Sequence, residues 1–339
     1  MPQPSRSEVH VNRPLTNISI AYMQDASAFI AAEVFPIIPG IQKRSDHYYV
    51  YPIDDFTRDE MQERASGSES AGSGYRLSHD TYFCRRWSLH KDIGDDVRAN
   101  TDQPLDNDRD ATEFLTRQGL IHRERTWVDS YFKQGVWDFE TVGGAETPAN
   151  FNPLRSGAAG VRTMRQWSHA MSDPIRDVRR LKQAILMKTG YMPNTLTMGR
   201  QAYDILLDNV EIIDRLDRGQ TPGGPAIATR DALAKLFELE RILVMDAIWN
   251  ASDEGLDADI QFIGGKHALL SYRPPSPGHL TPSAGYTFPW AGMFGASAYG
   301  GRMKRFRMEH LESDRIEIDM AYDQKVTGTA LACFLHDIA

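Results

Sequence analysis

Aromatic and β-branched residues crowd His47 to Ile53 (HYYVYPI), and a longer strand-like run follows from Tyr75 to Ile93 (YRLSHDTYFCRRWSLHKDI). Between them lie Phe56 to Arg64 and then Ser66 to Gly74, SGSESAGSG, in which seven of nine residues are Ser or Gly, the composition of a flexible tip. The pattern predicts a long two-stranded excursion with a mobile end. Such a ribbon is marginal in water by itself, so it must lie along another surface, of its own chain or of a neighbour. Residues 1 to about 48, with Pro2, Pro4 and Pro14 and one short apolar stretch ending at Phe35-Pro36, read as an arm with the same need for cover.

Asp106 to Gln134 carries the strongest helical signal. Phe114, Ile121 and Val128 recur at seven, Leu115, Leu120, Trp127, Tyr131 and Phe132 widen the stripe, and Gly135 stands at a natural stop. Glu113 with Arg117, and Asp129 with Lys133, are expected as acid-before-base pairs on its exposed face. A second helix is punctuated by Asp173 as N-cap, Pro174 as first residue, a stripe of Ile175, Val178, Leu181 and Ile185, and Gly190 at its end.

After Tyr191 the elements shorten. A strand at Thr195–Met198, a helix at Arg200–Leu207, a loop at Gly219–Ala226, a helix capped near Thr229 and a strand at Arg241–Ala247 follow in turn. Ile260–Ile263 and His267–Tyr272 read as a pair joined through Gly264-Gly265. Residues 273–301, rich in Pro, Gly and aromatics, predict a packed loop too broken for regular structure. Strand-like Met303–Met308, Arg315–Tyr322 and Lys325–Leu335 close the chain, with Ile316, Ile318 and Met320 inward and Arg315, Glu317, Asp319 and Lys325 towards solvent or a partner. The fold class is α+β.

Composition narrows the function. A chain of 339 residues with 41% hydrophobic and 25% charged residues can build a sizeable core, in two domains or one elaborate body. Its net charge of −8 disfavours an intimate grip on nucleic-acid phosphates. Cys84 and Cys333 are far apart behind no charged-then-apolar leader, so free thiols in a reducing cytoplasm are expected, and no apolar run reaches the roughly 20 residues of a membrane helix.

Catalytic signatures are sparse. No pair of histidines has zinc-site spacing and there is no CxxC, so neither metal nor cofactor is expected. His90-Lys91-Asp92 are consecutive, so alternation splits them between two faces of a strand. Asp106, Asp108 and Asp110 start like a calcium loop, but Ala111 and Arg117 occupy the positions of its Gly and Glu; acids at a helix start explain the cluster. Asp92, Asp95 and Asp96 lack an acid/base partner, Gly264-Gly265-Lys266 lacks a phosphate cradle, and Gly295–Tyr299 lacks the second Gly of a nucleophile elbow. The six Trp are spread over every segment. Trp127 and Trp249 suit core packing, whereas Trp87 and Trp290 stand where contact surfaces are expected.

The order of segments resembles the major capsid proteins of tailed bacteriophages, with the Hong Kong 97-type shell fold. Stretches that carry the resemblance include Leu15 to Pro36 (LTNISIAYMQDASAFIAAEVFP), ERASGSESAGSGYRL, HKDIGDDVRANTDQPLDNDRDATEFLTRQGLIHRERTWVDSYF, PNTLTMGRQAYDILLDNVEIIDRL, LAKLFELERILVMDAIWNAS and GGKHALLSYRPP. The resemblance implies an N-terminal arm at 1–48, an extended β-loop at 49–104, a peripheral domain with a spine helix at 105–190, an axial domain at 191–299, and closing strands of the peripheral domain at 300–339. It implies a non-enzymatic subunit that forms hexamers and pentamers of an icosahedral head around double-stranded DNA, without sequence-specific binding. A scaffolding protein, a portal and a decoration protein would be its partners, with assembly in the host cytoplasm and no membrane. Subunit contacts are expected at Phe56, Arg58, Glu60, Arg64, Tyr75, Trp87, Phe288 and Trp290. No lysine, asparagine and glutamate can be matched to the covalent cross-link of some members. A cellular nanocompartment shell is the alternative within the fold, and a cytosolic hydrolase the alternative from another class.

Overall fold

A computed structural model describes residues 24–101, 105–144, 164–218, 229–278, 280–294 and 301–339. The start of the expected arm, most of the connection from Gly143 to Gly160, the Gly219–Ala226 loop and the Gly295–Tyr299 sequence lie outside the described residues.

The arm segment runs through a 3-10 turn at Ala26–Ala28 into one helical turn, α1 (Ala31–Val34). β1 (Ser45–Val50), the turn α2 (Ile53–Phe56) and β2 (Ser78–Phe83) build the ribbon, with Ser45 opposite Phe83 and Val50 opposite Ser78. It is shorter than expected. The Cys84 N–H donates to Arg44 O at 2.9 Å, and β3 (Arg85–Gly94) then continues in a different sheet. A period of two states that Arg85 to Ile93 is a strand but not which partner it takes.

The short helix α3 (Asp95–Ala99) leads to α4 (Asn107–Tyr131), 25 residues and so roughly 37 Å long. Asp106 caps it, its Oδ1 accepting from the N–H groups of Asp108 and Arg109. The expected stripe is corrected: the buried positions are Ala111, Leu115, Gly119, Arg123, Glu124 and Trp127, while Phe114 is exposed. The helix is covered from several sides, so no single period of seven describes its contacts. The ion pairs seen along it run base-before-acid, Arg109 to Glu113 at 3.0 Å and Arg125 to Asp129 at 3.6 Å, instead of the expected pairs with Arg117 and Lys133.

β4 (Phe139–Gly144) and β5 (Met164–Arg165) precede α5 (Pro174–Thr189), whose punctuation is as expected: Asp173 Oδ1 accepts from Arg176 N at 2.9 Å and Gly190 is left-handed. Then come β6 (Thr195–Gly199), α6 (Arg200–Leu207), α7 (Val210–Arg218), α8 (Arg230–Leu236), β7 (Arg241–Met245), β8 (Ile248–Asn250), β9 (Ile260–Phe262) and β10 (Ala268–Ser271). β9 pairs with β8, not with β10. Gly264-Gly265 makes no hairpin turn; it lets the chain cross Gly199, where an added Cβ would lie 2.0 Å from the Gly265 carbonyl oxygen.

β11 (Gly285–Pro289) and the turn α9 (Ala291–Phe294) occupy the stretch expected to lack regular structure, and every β11 residue is buried. β12 (Gly301–Met308), β13 (Ser313–Val326) and β14 (Ala332–His336) finish the chain, so Lys325 belongs to the same strand as Arg315.

Two sheets organise these elements. In one, β13 is central, pairing antiparallel with β3, β12 and β11. Its apolar side packs on α4 through Ile93, Ile316 and Leu115, and Gly119 lets the helix approach Met320 closely. The other sheet has the order β5-β4-β14-β10-β6-β7. Leu196, Ile242, Leu270 and Leu335 face α5, α6 and α8 on one side; Leu243, Leu269 and Phe334 face α4 and the arm on the other. The final strand β14 lies in this second sheet and β11 in the first, so both sheets cross the expected boundaries at 191 and 300.

Candidate assembly surface

The arm is riveted to α4. Phe35 packs edge-on against Trp127 at 5.6 Å and beside Tyr131 and Trp137. Glu124, fully buried in mid-helix, accepts from the backbone N–H groups of Ile30 at 3.1 Å and Ala31 at 2.8 Å, satisfying two donors that α1 leaves open. Burial pushes its carboxyl up to about 7, against the pull of those two hydrogen bonds. Gln24 bridges to Ile248, donating to its carbonyl and accepting from its N–H at 2.7 Å each, and Ile37 bridges to Thr287.

Beyond its paired strands the ribbon has little cover, residues 57–77 being mostly exposed. Asp55 closes the base of its tip by accepting from Arg76 Nε and Nη2, both at 3.1 Å, and from the Arg76 N–H at 2.8 Å. Above this clamp Tyr51, Phe56 and Tyr75 form an aromatic cluster with centroids 5.7 to 5.9 Å apart. Phe56 and Tyr75 are still more than half exposed, and Met61 is 92% exposed. Arg58 pairs with Asp55 at 3.5 Å and Glu60 at 3.9 Å, and Arg64 Nε donates to the Ser68 carbonyl. These five expected contact residues therefore share the tip.

The other three lie away from the tip, Phe288 and Trp290 together in one cluster. Trp87, half-buried on β3, packs on His122 at 4.5 Å, and Trp290 Nε1 donates to Gln42 O at 2.9 Å. Phe288 is a correction: it is buried, stacking on Tyr82 at 4.8 Å and Tyr48 at 5.6 Å, so its side chain is enclosed within the subunit. Its cover comes from the ribbon folding back, which the local sequence does not reveal.

On the polar side of the β13 sheet Asp319 overturns its expected solvent position. Fully buried, it accepts from Arg86 Nη2 at 2.8 Å, from Ser88 and from Lys304, with Arg302 Nε at 3.8 Å. These partners hold its carboxyl far below the usual range despite burial. Arg315 holds Asp92 bidentate at 2.7 Å and likewise lowers it. Glu124 and Asp319 are the residues sequence reasoning missed. The available signal for Asp319 was the excess of Arg and Lys in CRRWS and GRMKRFR against the acids of the β13 strand.

A shallow depression of about 470 Å³ between α4 and β12 is lined by Asp108, Glu113, Arg109 and Arg305 among others, but Asp108 is engaged by Arg98 and Arg305, and Glu113 by Arg109. Cys84 and Cys333 are buried, with burial pushing the Cys84 thiol up to about 12 and Cys333 higher, which disfavours the reactive thiolate. His267 stacks on His336 at 4.6 Å and is pushed down to about 4 by burial, keeping it neutral. Among the described residues no three His, Cys, Asp or Glu are grouped to hold a metal ion, and no helix is long and apolar enough to cross a membrane.

No protein-family model matches the chain. It is 33% identical over 127 residues to the major capsid protein of Burkholderia phage BcepMu, a match spanning 36% of this chain and 39% of that relative. Among solved structures, a phage-related protein from Bordetella bronchiseptica superposes with a TM-score of 0.65 at 18% identity, covering 93% of each chain. The capsid of cyanophage P-SCSP1u gives 0.55 at 10% identity over 98% of each, and an encapsulin from Synechococcus elongatus gives 0.53 at 11% over 96% of this chain and 94% of that one. The chain thus has the Hong Kong 97-type fold of phage capsids.

Proposed function

We propose that this protein is the major capsid protein of a tailed phage or prophage, self-assembling as hexamers and pentamers into an icosahedral head around double-stranded DNA. The observation that carries the reading is the ribbon tip, whose aromatic cluster and Met61 remain open to water in a chain with a capsid fold along nearly its full length. Sibling copies supply the missing cover. Phe56, Arg58, Glu60, Arg64 and Tyr75 would make the strap contacts, with Trp87 and Trp290 at secondary ones.

The mechanism is mechanical. Overlapping straps distribute internal pressure over many individually weak contacts, and tilting of α4 would accompany expansion of the shell. The β13 sheet with α4 serves as the peripheral body and the six-stranded sheet with its helices as the axial one. A scaffolding protein, a portal and a decoration protein are the expected partners, with assembly in the host cytoplasm and residence in the virion. An acidic chain suits a container from which DNA must later leave.

Sedimentation and negative-stain microscopy of the overexpressed chain test the reading, with capsomers or large particles expected and a small, catalytically active oligomer contradicting it. Deleting Ser66–Gly74 should leave the subunit folded but impair assembly; normal shells from that deletion would remove the strap role. The encapsulin similarity supports a second reading, a nanocompartment, separated from the first by whether purified particles hold nucleic acid or an enzyme.

A further inference from the structure

α5 turns an unusual face to solvent. Its inward stripe, Ile175, Val178, Leu181 and Ile185, is buried on the six-stranded sheet, while Arg176, Arg179, Gln183, Leu186 and Met187 are exposed over roughly 17 Å. Arg176 stands in the first turn, where the helix macrodipole disfavours positive charge, and Arg179 one turn further on; among the described residues neither forms a salt bridge, the neighbouring Asp177 carboxylate acting on Arg176 only at longer range. Met187 is 76% exposed at the far end, and Met192, just past the helix, is 45% exposed. Two exposed cations thus precede an exposed methionine along one side of the helix.

The complementary surface lies elsewhere on the same chain. The β8–β9 hairpin ends in Asp253, Glu254, Leu256, Asp257 and Asp259, and Asn250 shapes it by accepting from the N–H groups of Ser252 and Asp259. Every residue from Asp253 to Phe262 is exposed, Leu256 at 71%. Among the described residues no cation pairs with Asp253, Glu254 or Asp257, whereas the acidic ribbon tip is partly neutralised by Arg58 and Arg76.

The two surfaces cannot meet within one molecule. α5 covers the side of the six-stranded sheet bearing Leu196 and Leu270, while the hairpin roots, Ala247 and Ile263, pack with Phe29 against α4 on the opposite side. Resting on the shell reading, the geometry points to a head-to-tail contact: the acidic, Leu256-tipped hairpin of one copy docks on the Arg176/Arg179 and Met187 face of α5 in the next. A heterologous contact between opposite sides of a subunit generates a ring when the rotation closes. The partner is a second copy of this chain, held by paired charge at one end of the face and apolar burial at the other.

Charge exchange tests it. In Arg176→Glu with Arg179→Glu, and separately in Asp253→Lys with Asp257→Lys, ring-sized particles at matched concentration should fall at least about ten-fold, and combining all four substitutions should recover most of them. Circular dichroism establishes that each variant folds. Oxidised Met187→Cys with Leu256→Cys should give a ladder of inter-subunit disulfide products absent from either single variant, because Cys84 and Cys333 are buried. Wild-type assembly with indifferent charge variants, no recovery in the combined variant, or no ladder overturns the contact and leaves the shell reading intact. Arginine variants that assemble normally but release bound DNA assign the face to phosphates and also overturn it. A wild-type chain that stays monomeric overturns the shell reading and this contact together.

Discussion

Glu124 shows how one side chain can tie distant parts of a chain. In the sequence it sits in His122-Arg123-Glu124-Arg125, which reads as a solvated helix face; the arm laid over it turns it into an interior acceptor. Its carboxyl rises from 4.5 to about 7, with Arg123 opposing and Glu33 reinforcing the effect of burial. Between those values the folded subunit holds a proton that the unfolded chain releases, so this group's contribution falls as pH rises from about 4.5 to about 7. Glu124→Gln lacks that titration. The stability of the variant relative to wild type should therefore rise with pH by up to roughly 3 kcal/mol. Denaturant unfolding of the unassembled subunit at about pH 5 and about pH 7.5 measures it, and a pH-independent difference would exclude the titration.

Among elements, α5 and β13 mark the extremes of legibility. Asp173, Pro174 and Gly190 delimit α5 because capping is local chemistry, involving backbone groups within a turn of the residue that satisfies them. β13 has a readable alternation, but its length and neighbours are set by β3, β12 and β11, which come from distant parts of the chain. Asp319 is buried because those neighbours bring Arg86 and Lys304 to it. Its folded carboxyl is depressed, so its stabilisation is present above the unfolded value near 3.8 and lost as pH falls below it. Asp319→Ala should cost about 3 kcal/mol at neutral pH, toward the low end for buried pairs because Arg86 stays partly in water. Thermal unfolding measures the loss, and a near-wild-type melting temperature would show the cluster to be energetically idle.

For the whole molecule, the uneven distribution of cover decides behaviour. The two sheets and α4 bury their apolar sides, whereas residues 57–77 have no ladder hydrogen bonds and are mostly exposed. Limited trypsin digestion of the free subunit should cut first at Arg58, Arg64 or Arg76, and assembly should suppress those cuts well before it slows cleavage elsewhere. Equal cleavage in free and assembled protein would show that the strap lies unprotected in the shell.

The chain by itself determined the α+β class, the existence of the long helix α4, the caps of α5, the strand character of both ribbon segments and the exposed Ser/Gly tip, because each follows from interactions within a few residues or from a simple period. Tertiary structure alone decided that the ribbon ends at Cys84, that β9 leaves β10 for β8, that Phe288 is enclosed, and that Glu124 and Asp319 are interior. Those outcomes depend on which surfaces meet in space, and neither hydrophobic period nor side-chain polarity encodes a partner.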